Sequence, residues 1–241
     1  MTVGTDGSHD GNRWTMAVVP VIALLLVAAS CAAPPAEEDA AEEATVELAA
    51  PTTPGPENAS IERGRYLVLS HGCGDCHSGG GNPAAPEWLI GAVMPIQEFP
   101  VAPDPTDPRV FLTRPRNLTP HLETGIGRFT ERQIFNSLRF GLRPGETPDV
   151  EITSSVPGEG NFPLNPHYLA PPMPWPVFRH MPDQDLWDIS AYLLRGVRPV
   201  EHLVADSEGP PDFWAAFYAT NPWVGTYPVP PFPTAQEVAT P

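Results

Sequence analysis

The proline content limits the secondary structure that this chain can form. Proline occupies 34 of the 241 positions, about three times its usual share of roughly 5 % in proteins. Because proline lacks a backbone N–H and clashes with the preceding helical turn, it is rare inside helices and central strands. We therefore expect short helices, with a large fraction of the chain in loops and extended segments.

The charge balance excludes one class of partner. The chain has 13 basic residues, all of them arginine, against 29 acidic residues, which gives a net charge of −16. Proteins that bind nucleic acid need an excess of basic side chains to neutralise phosphates, so we expect no nucleic-acid partner. The acidic surface fits either simple solubility or docking to partner proteins with basic surfaces.

The N-terminal 30 residues have the features of an export signal. Residues 15–30 contain no charge, and this stretch is short for a membrane span of about 20 residues but long enough for a signal core. Ala28–Ser30 are small and precede Cys31, a pattern that resembles the lipobox of bacterial lipoproteins and implies a lipid on Cys31. An uncleaved N-terminal anchor and plain secretion are the alternatives, and all three place the remaining chain outside the cytoplasm.

Residues 31–60 are predicted to be a disordered acidic tether. From residue 32 to 60 the segment has seven acidic residues, five prolines, and neither a basic nor an aromatic residue. Such a segment cannot bury enough apolar surface to offset the entropy lost on ordering. After a lipidated cysteine it would hold a domain away from the membrane.

The motif that indicates the chemistry is C-x-x-C-H, formed by Cys73, Cys76 and His77. Two thiols three positions apart can form thioethers with the two vinyl groups of one haem, and the adjacent histidine can coordinate its iron. A redox-active C-x-x-C or half of a zinc site are the alternatives. No second cysteine pair completes a four-cysteine zinc site, and no βαβ pattern surrounds the motif. We therefore predict one covalently attached haem c.

Three helices are predicted around this motif, over residues 61–69, 130–141 and 183–196. Their apolar residues recur at three- and four-residue spacing. Ser60 and Thr130 are suited to cap the first two helices, and Gly141 to end the second. Three short helices make a small core, and a buried haem would supply its apolar centre.

The stretch from residue 61 to 200 resembles a class I-type c-type cytochrome domain, in particular the cytochrome c modules associated with bacterial alcohol, aldehyde and gluconate dehydrogenases. The resemblance implies an all-α domain of three to five short helices around one haem, with long proline-rich loops. It also implies that Gly64 lies where the first and last helices cross, against Tyr192. The matching residues, in order, are Cys73–His77, Arg116–Pro120, Glu123–Thr130, Leu138–Pro144, Ala170–Pro174, Asp183–Leu186 and Ala191–Leu193.

By the same resemblance, Met173 is the second axial ligand of the haem iron, in a loop flanked by prolines. Met181 is an alternative, although it directly precedes the last helix. His167 and His180 are further alternatives that would make a bis-histidine haem. Thioether ligation raises the haem potential relative to two imidazoles, which suits an electron carrier.

The function implied is a non-catalytic carrier of single electrons between extracytoplasmic redox partners, either tethered to the membrane or as the subunit of a complex. A peroxidase-like haem enzyme and a ligand sensor with a displaceable sixth ligand are the alternatives. The segment 144–165 is predicted to be a surface loop. The extension 201–241 is rich in aromatic residues and proline, so it either packs on the domain or docks to a larger complex.

Overall fold

Short helices separated by loops make up most of the regular structure. The computed structural model describes residues 53–93, 98–102 and 109–219. In those ranges the helices are α1 Ile61–Ser70, α2 Cys73–His77, α3 Glu131–Phe140, α4 Trp175–Phe178, α5 Asp183–Ala191 and α6 Ala215–Ala219. Helix α5 continues into a π-helical turn, Tyr192–Gly196, and short 3-10 turns occur at Pro56–Asn58 and Pro144–Glu146.

The three predicted helices are confirmed as α1, α3 and α5, although α5 ends at Ala191 and the π-helical turn takes up the rest of the predicted span 183–196. The Ser60 hydroxyl accepts from the backbone N–H of Arg63 at the start of α1. Thr130 and Gln133 form a capping box at the start of α3. Gly141 ends α3 in the left-handed conformation, with φ of 70°, which glycine adopts without steric cost.

The crossing of α1 and α5 depends on Gly64, as the resemblance implies. A Cβ atom at Gly64 would lie 1.9 Å from the carbonyl oxygen of Asp188 and 2.7 Å from the Cβ of Tyr192. Only a glycine therefore allows the two backbones to approach this closely. Nearby, the backbone N–H of Ser60 donates to the Asp188 carboxylate at 2.7 Å, which fixes the start of α1 to α5.

The main hydrophobic core lies between α1, α3 and α5. Phe135 of α3 stacks on Trp187 of α5 with ring centroids 4.4 Å apart. Burial of these side chains is the principal source of stabilisation between the three helices. The buried members include Leu67, Val68, Trp88, Leu89, Ile126, Ile134, Phe135, Leu138, Phe178, Leu186, Trp187, Ile189, Tyr192, Leu193 and Val197.

Two further hydrophobic clusters involve segments outside the three predicted helices. Ile152 and Phe162, from the predicted surface loop 144–165, are 3 % and 4 % exposed and pack with Phe140 and Leu142. That loop is therefore folded back onto the end of α3 by two of its own apolar side chains. Trp214 and Tyr218, from the C-terminal extension, are buried against Trp175 of α4.

The outcome for the extension differs along its length. For residues 201–219 the packing alternative is confirmed, because their buried aromatic side chains cover α4. Residues 220–241 lie outside the described residues.

The structure also contains a short antiparallel pair of strands, β1 Phe99–Val101 and β2 Phe111–Thr113, which the sequence did not indicate. The assignment to an all-α, cytochrome c-like fold stays a prediction.

Most of the predicted N-terminal organisation lies outside the described residues, including the signal segment 1–30 and Cys31. The last residues of the predicted tether, 53–60, are described and already contact the helices, since the backbone N–H of Gly55 donates to the Gln184 side chain at 3.1 Å. Within the described ranges, none of the helices has the length and apolar character needed to cross a bilayer.

Replacing Gly64 by alanine is expected to destabilise the protein by about 1–3 kcal/mol, because the new methyl group overlaps backbone atoms of α5. Gly81→Ala is the matched control, since a Cβ there would meet no atom within 4 Å. Urea unfolding followed by circular dichroism measures both changes. Equal midpoints for the two variants would contradict the close crossing.

Candidate haem site

The C-x-x-C-H residues form one short helix, α2. Gly72 precedes it with φ of 64°, a left-handed conformation that turns the chain sharply after α1. A Cβ at Gly74 would lie 2.1 Å from the carbonyl oxygen of Gly80 and 2.5 Å from the Trp88 ring, so the following loop folds directly onto α2. Because residues three apart share one face of a helix, Cys73 and Cys76 lie on the same side of α2.

Both thiols of this helix are free, and Cys73 packs against the main core cluster. Burial raises the pKa of Cys73 to about 12, and burial also raises the pKa of Cys76. Redox-active C-x-x-C motifs have the opposite property, a lowered pKa that favours the thiolate. Within the described residues, no three His, Cys, Asp or Glu side chains converge to hold a metal ion, and this includes Cys73, Cys76 and His77.

The orientation of His77 is set by a backbone acceptor. Its Nδ1 lies 2.7 Å from the carbonyl oxygen of Arg116, and since a carbonyl only accepts, Nδ1 carries the proton. The lone pair is then on Nε2, the arrangement in which an imidazole ligates a metal. Although part of the residue is accessible, burial lowers the pKa of His77 to about 4 against the opposing effect of the Arg116 bond, so the ring is neutral at pH 7.

The loop that presents the Arg116 carbonyl is anchored by Asn117, which is 1 % exposed. Its Nδ2 donates to the carbonyl oxygens of Val200, at 2.9 Å, and His202, at 3.2 Å, and its Oδ1 accepts from the backbone N–H of Thr119 at 2.9 Å. The loop is thereby fixed to the chain that follows α5. Buried hydrogen bonds of this kind hold a backbone in one conformation.

Two glycines support the same loop from the other side. A Cβ at Gly125 would lie 2.1 Å from the carbonyl oxygen of Thr119, and one at Gly127 would lie 2.2 Å from that of Pro120. The backbone N–H of Ile126 donates to the Thr119 carbonyl at 2.9 Å. The two motifs that carried the resemblance, 116–120 and 123–130, therefore pack on each other to place the acceptor of His77.

The role of Arg116 could not be read from the sequence. The motif around it was recognised as part of the resemblance, but a backbone carbonyl that orients a ligand leaves no signature in side-chain pattern. The structure adds that the Arg116 guanidinium donates to the carbonyl oxygen of Ala205 at 3.0 Å and to Asp206 at 3.2 Å. Arg116 is therefore held in two ways, by the anchoring of the adjacent Asn117 and by the hydrogen bonds of its own side chain.

Met173 lies in a tight turn before α4. Its backbone N–H donates to the carbonyl oxygen of Ala170, and its own carbonyl accepts from the N–H of Trp175, both at 2.9 Å. Its partly buried side chain packs against the main core cluster, as do those of Cys73 and Met181. The structure thus brings Met173 and Met181 to the same core as Cys73, and packing does not distinguish between the two methionines.

The two alternative histidines lie in different surroundings. His167 Nδ1 is hydrogen-bonded to the Glu146 carboxylate, and its ring contacts that of Phe213, with centroids 4.5 Å apart. His180 follows α4 and lines a groove of about 530 Å³ together with His71 and Met181. His167 is therefore already engaged by Glu146 and Phe213, whereas His180 lines the same groove as Met181.

The chain has relatives among curated proteins, although no family model matches it. It is 28 % identical over 158 residues to the fructose dehydrogenase cytochrome subunit of Gluconobacter japonicus. The chain resembles the cytochrome c subunits of dehydrogenases. Two further relatives are the gluconate 2-dehydrogenase cytochrome c subunit of Pantoea cypripedii, 27 % identical over 168 residues, and the alcohol dehydrogenase (quinone) cytochrome c subunit of Komagataeibacter europaeus, 26 % identical over 151 residues.

These matches cover 64 %, 69 % and 61 % of this chain but only 25 %, 30 % and 24 % of the respective relatives. The chain therefore spans about a quarter of the length of the curated relatives it matches. The resemblance inferred from the motifs is confirmed. Each relative is named as a cytochrome subunit, in agreement with the expectation of a non-catalytic electron carrier.

Asn117→Ala is expected to destabilise the protein by about 1–3 kcal/mol, because it leaves buried backbone groups of the 117–119 and 200–202 segments unpaired. Asn82→Ala is the matched control, since the exposed Asn82 side chain only accepts from the N–H of Ala84, and its effect should stay within about 0.5 kcal/mol. Thermal unfolding compares the two. If both variants melted together, the anchoring role of Asn117 would be wrong.

Proposed function

We propose that this chain is a single-haem c-type cytochrome that passes electrons between extracytoplasmic proteins. The observation that supports it most directly is the bond between His77 Nδ1 and the Arg116 carbonyl oxygen, at 2.7 Å, next to two free thiols on one helical turn. The sequence contains one C-x-x-C-H motif, which argues for one haem per chain.

The residues fit a covalent haem in their chemistry. Cys73 and Cys76 would hold it by thioether bonds, and His77 Nε2 and the Met173 thioether would ligate its iron. The haem supplies a one-electron couple. The hydrogen bond from His77 to the Arg116 carbonyl fixes the tautomer of the ring and raises its basicity. The apolar side chains packed around Cys73 and Met173 would exclude water from the haem. Exclusion of water and ligation by methionine both favour ferrous iron.

The proposed partners follow from charge and from the relatives. With 29 acidic and 13 basic residues, the chain is suited to dock on positively charged surfaces of redox proteins, and such complementarity speeds encounter more than it strengthens binding. The relatives are named as cytochrome subunits of fructose, gluconate and alcohol dehydrogenases. We infer that a dehydrogenase subunit is the class of protein that donates electrons to this chain.

Attachment to the membrane is a further part of the proposal. The uncharged stretch 15–30 and the small residues before Cys31 support lipidation of Cys31, with an uncleaved N-terminal anchor as the alternative. Both keep the remainder of the chain on the periplasmic side of the membrane. Residues 1–30 and Cys31 lie outside the described residues.

The purified protein is expected to retain one haem per chain through denaturing electrophoresis, because thioether bonds survive unfolding. The double variant Cys73→Ser, Cys76→Ser should lose the haem, whereas Cys31→Ser, which alters the third cysteine of the chain, should retain it. Haem staining of the gel and a pyridine haemochrome assay give the stoichiometry. Haem that washes out of the unaltered protein on denaturation would contradict the covalent attachment.

Met173→His is expected to lower the midpoint potential and to abolish the near-infrared sulfur-to-iron band of the oxidised protein, because imidazole is the more basic ligand and favours ferric iron. Met181→Leu is the matched control, since a swap of similar volume should cost less than about 1.5 kcal/mol and leave the band in place. Potentiometric titration and near-infrared absorption measure both variants.

If Met173→His left spectrum and potential unchanged while Met181→Leu altered them, Met181 would be the ligand. If neither altered them, His180 and His167 would become the candidates. Carbon monoxide that binds the reduced, unaltered protein at full occupancy would indicate an open sixth position, and the enzyme or sensor function would then replace electron transfer.

A further inference from the structure

A groove lies where α1 crosses the end of α5, beside the loop that follows α2. It has a volume of about 320 Å³, and its lining includes the side chains of Arg65, Trp88, Tyr192 and Arg198. The close approach of Gly64 to Tyr192 places Arg65, the next residue of α1, at this crossing. The fold therefore brings two guanidinium groups to one groove from distant parts of the chain.

The two arginines of this groove are not paired with carboxylates of the described residues. Within that part of the chain, Arg65 makes no hydrogen bond, ion pair or ring contact, and Arg198 donates to the backbone carbonyl oxygen of Pro86 at 3.2 Å. Other arginines do form ion pairs, as Arg63 does with Asp185. In a chain with 29 acidic residues, the groove thus holds a pair of cations that its own carboxylates do not neutralise.

Trp88 connects this groove to the helix of the C-x-x-C-H motif. A Cβ atom at Gly74 of α2 would lie 2.5 Å from the Trp88 ring, so the ring and the helix are in direct contact. The indole Nε1 of Trp88 donates to the Tyr192 hydroxyl at 3.2 Å, which fixes the ring against α5. A molecule bound in the groove could therefore reach α2 through a single aromatic side chain.

The residue types of the groove favour a protein as its occupant. Tryptophan, tyrosine and arginine contribute most of the binding energy in protein–protein interfaces, whereas small-molecule sites are mostly apolar and enclose most of the ligand surface. Both Arg65 and Arg198 are exposed, so their guanidinium groups can reach carboxylates on a protein surface that stays outside the groove. Because arginine binds a carboxylate through two parallel N–H···O bonds, the matching groups are Asp and Glu side chains.

We propose that this groove docks a redox partner that presents exposed carboxylates, and that the partner exchanges electrons with the haem through Trp88 and α2. The inference rests on the proposed function and extends it to a second partner, since a carrier must meet both a donor and an acceptor. The acidic residues of the chain suit a partner with a basic surface, and the groove of Arg65 and Arg198 suits an acidic one. The two partners would then bind at different places.

Binding of an acidic peptide tests the groove directly. The probe is a short polyglutamate peptide, acetylated and amidated at its ends, titrated into the holoprotein by calorimetry at about 10 mM ionic strength, where charges are weakly screened. Arg65→Gln and Arg198→Gln should each raise the Kd by about tenfold. Arg128→Gln is the matched control, because it removes the same charge from an exposed side chain outside the groove, and it should change the Kd by less than about twofold.

Electron exchange at the groove is tested with small oxidants of opposite charge. Ferricyanide takes one electron from the ferrous protein and becomes ferrocyanide, and its negative charge favours approach to the two arginines. Arg65→Gln and Arg198→Gln should slow this oxidation about three- to tenfold in stopped-flow measurements at low ionic strength, and Arg128→Gln should not. The cation tris(phenanthroline)cobalt(III) should oxidise all four proteins at rates within about twofold of each other, which controls for a change in driving force.

The outcomes separate this inference from the proposed function. An unaltered protein without covalent haem would overturn both. A protein with covalent haem whose peptide affinity and ferricyanide rate are the same in the Arg65, Arg198 and Arg128 variants would overturn the docking groove alone. Slowing of both oxidants to the same extent would also overturn it, because the charge of the groove would then not be the cause. Citrate that binds as tightly as the peptide, and is lost in the Arg65 and Arg198 variants, would assign the groove to a small organic anion instead.

Discussion

The hydrogen bond from His77 Nδ1 to the carbonyl oxygen of Arg116 is the contact on which the site depends. It joins residues 39 positions apart, and it orients the ring only if the loop carrying Arg116 is rigid. Asn117 and Gly125 provide that rigidity, one by hydrogen bonds to the chain after α5 and the other by close packing on Thr119. Much of the loop structure can be understood as support for one carbonyl group.

Local signals predicted local structure well. The caps Ser60 and Thr130 and the terminator Gly141 act within one helical turn, so neighbouring residues suffice to recognise them. The contact of Gly64 with α5 followed from the family resemblance. By contrast, the burial of Ile152 and the pairing of β1 with β2 depend on contacts between a loop and residues distant in the sequence. A proline-rich chain has many such loops, and they carry no periodic pattern from which their contacts could be predicted.

For the candidate site as well, the sequence predicted the residues that form a local motif and missed those that depend on tertiary contacts. Cys73, Cys76 and His77 are contiguous and form a motif, so their identity needs no tertiary information. The carbonyl of Arg116 could not be predicted, because it is a backbone group and leaves no signature in the side-chain pattern. Met173 and Met181 both pack against the core that includes Cys73, and packing alone does not rank two thioethers of the same chemistry.

The chain after α5 is part of the interior rather than an appendage. Val200, His202 and Ala205 supply the acceptors that hold the Arg116 loop, and Trp214 and Tyr218 cover Trp175. A gene fragment that stopped at codon 200 would encode Cys73, His77 and Met173 but not the residues that hold the Arg116 loop and cover Trp175. Domain transplants and fusions with this module should therefore retain the residues up to 219.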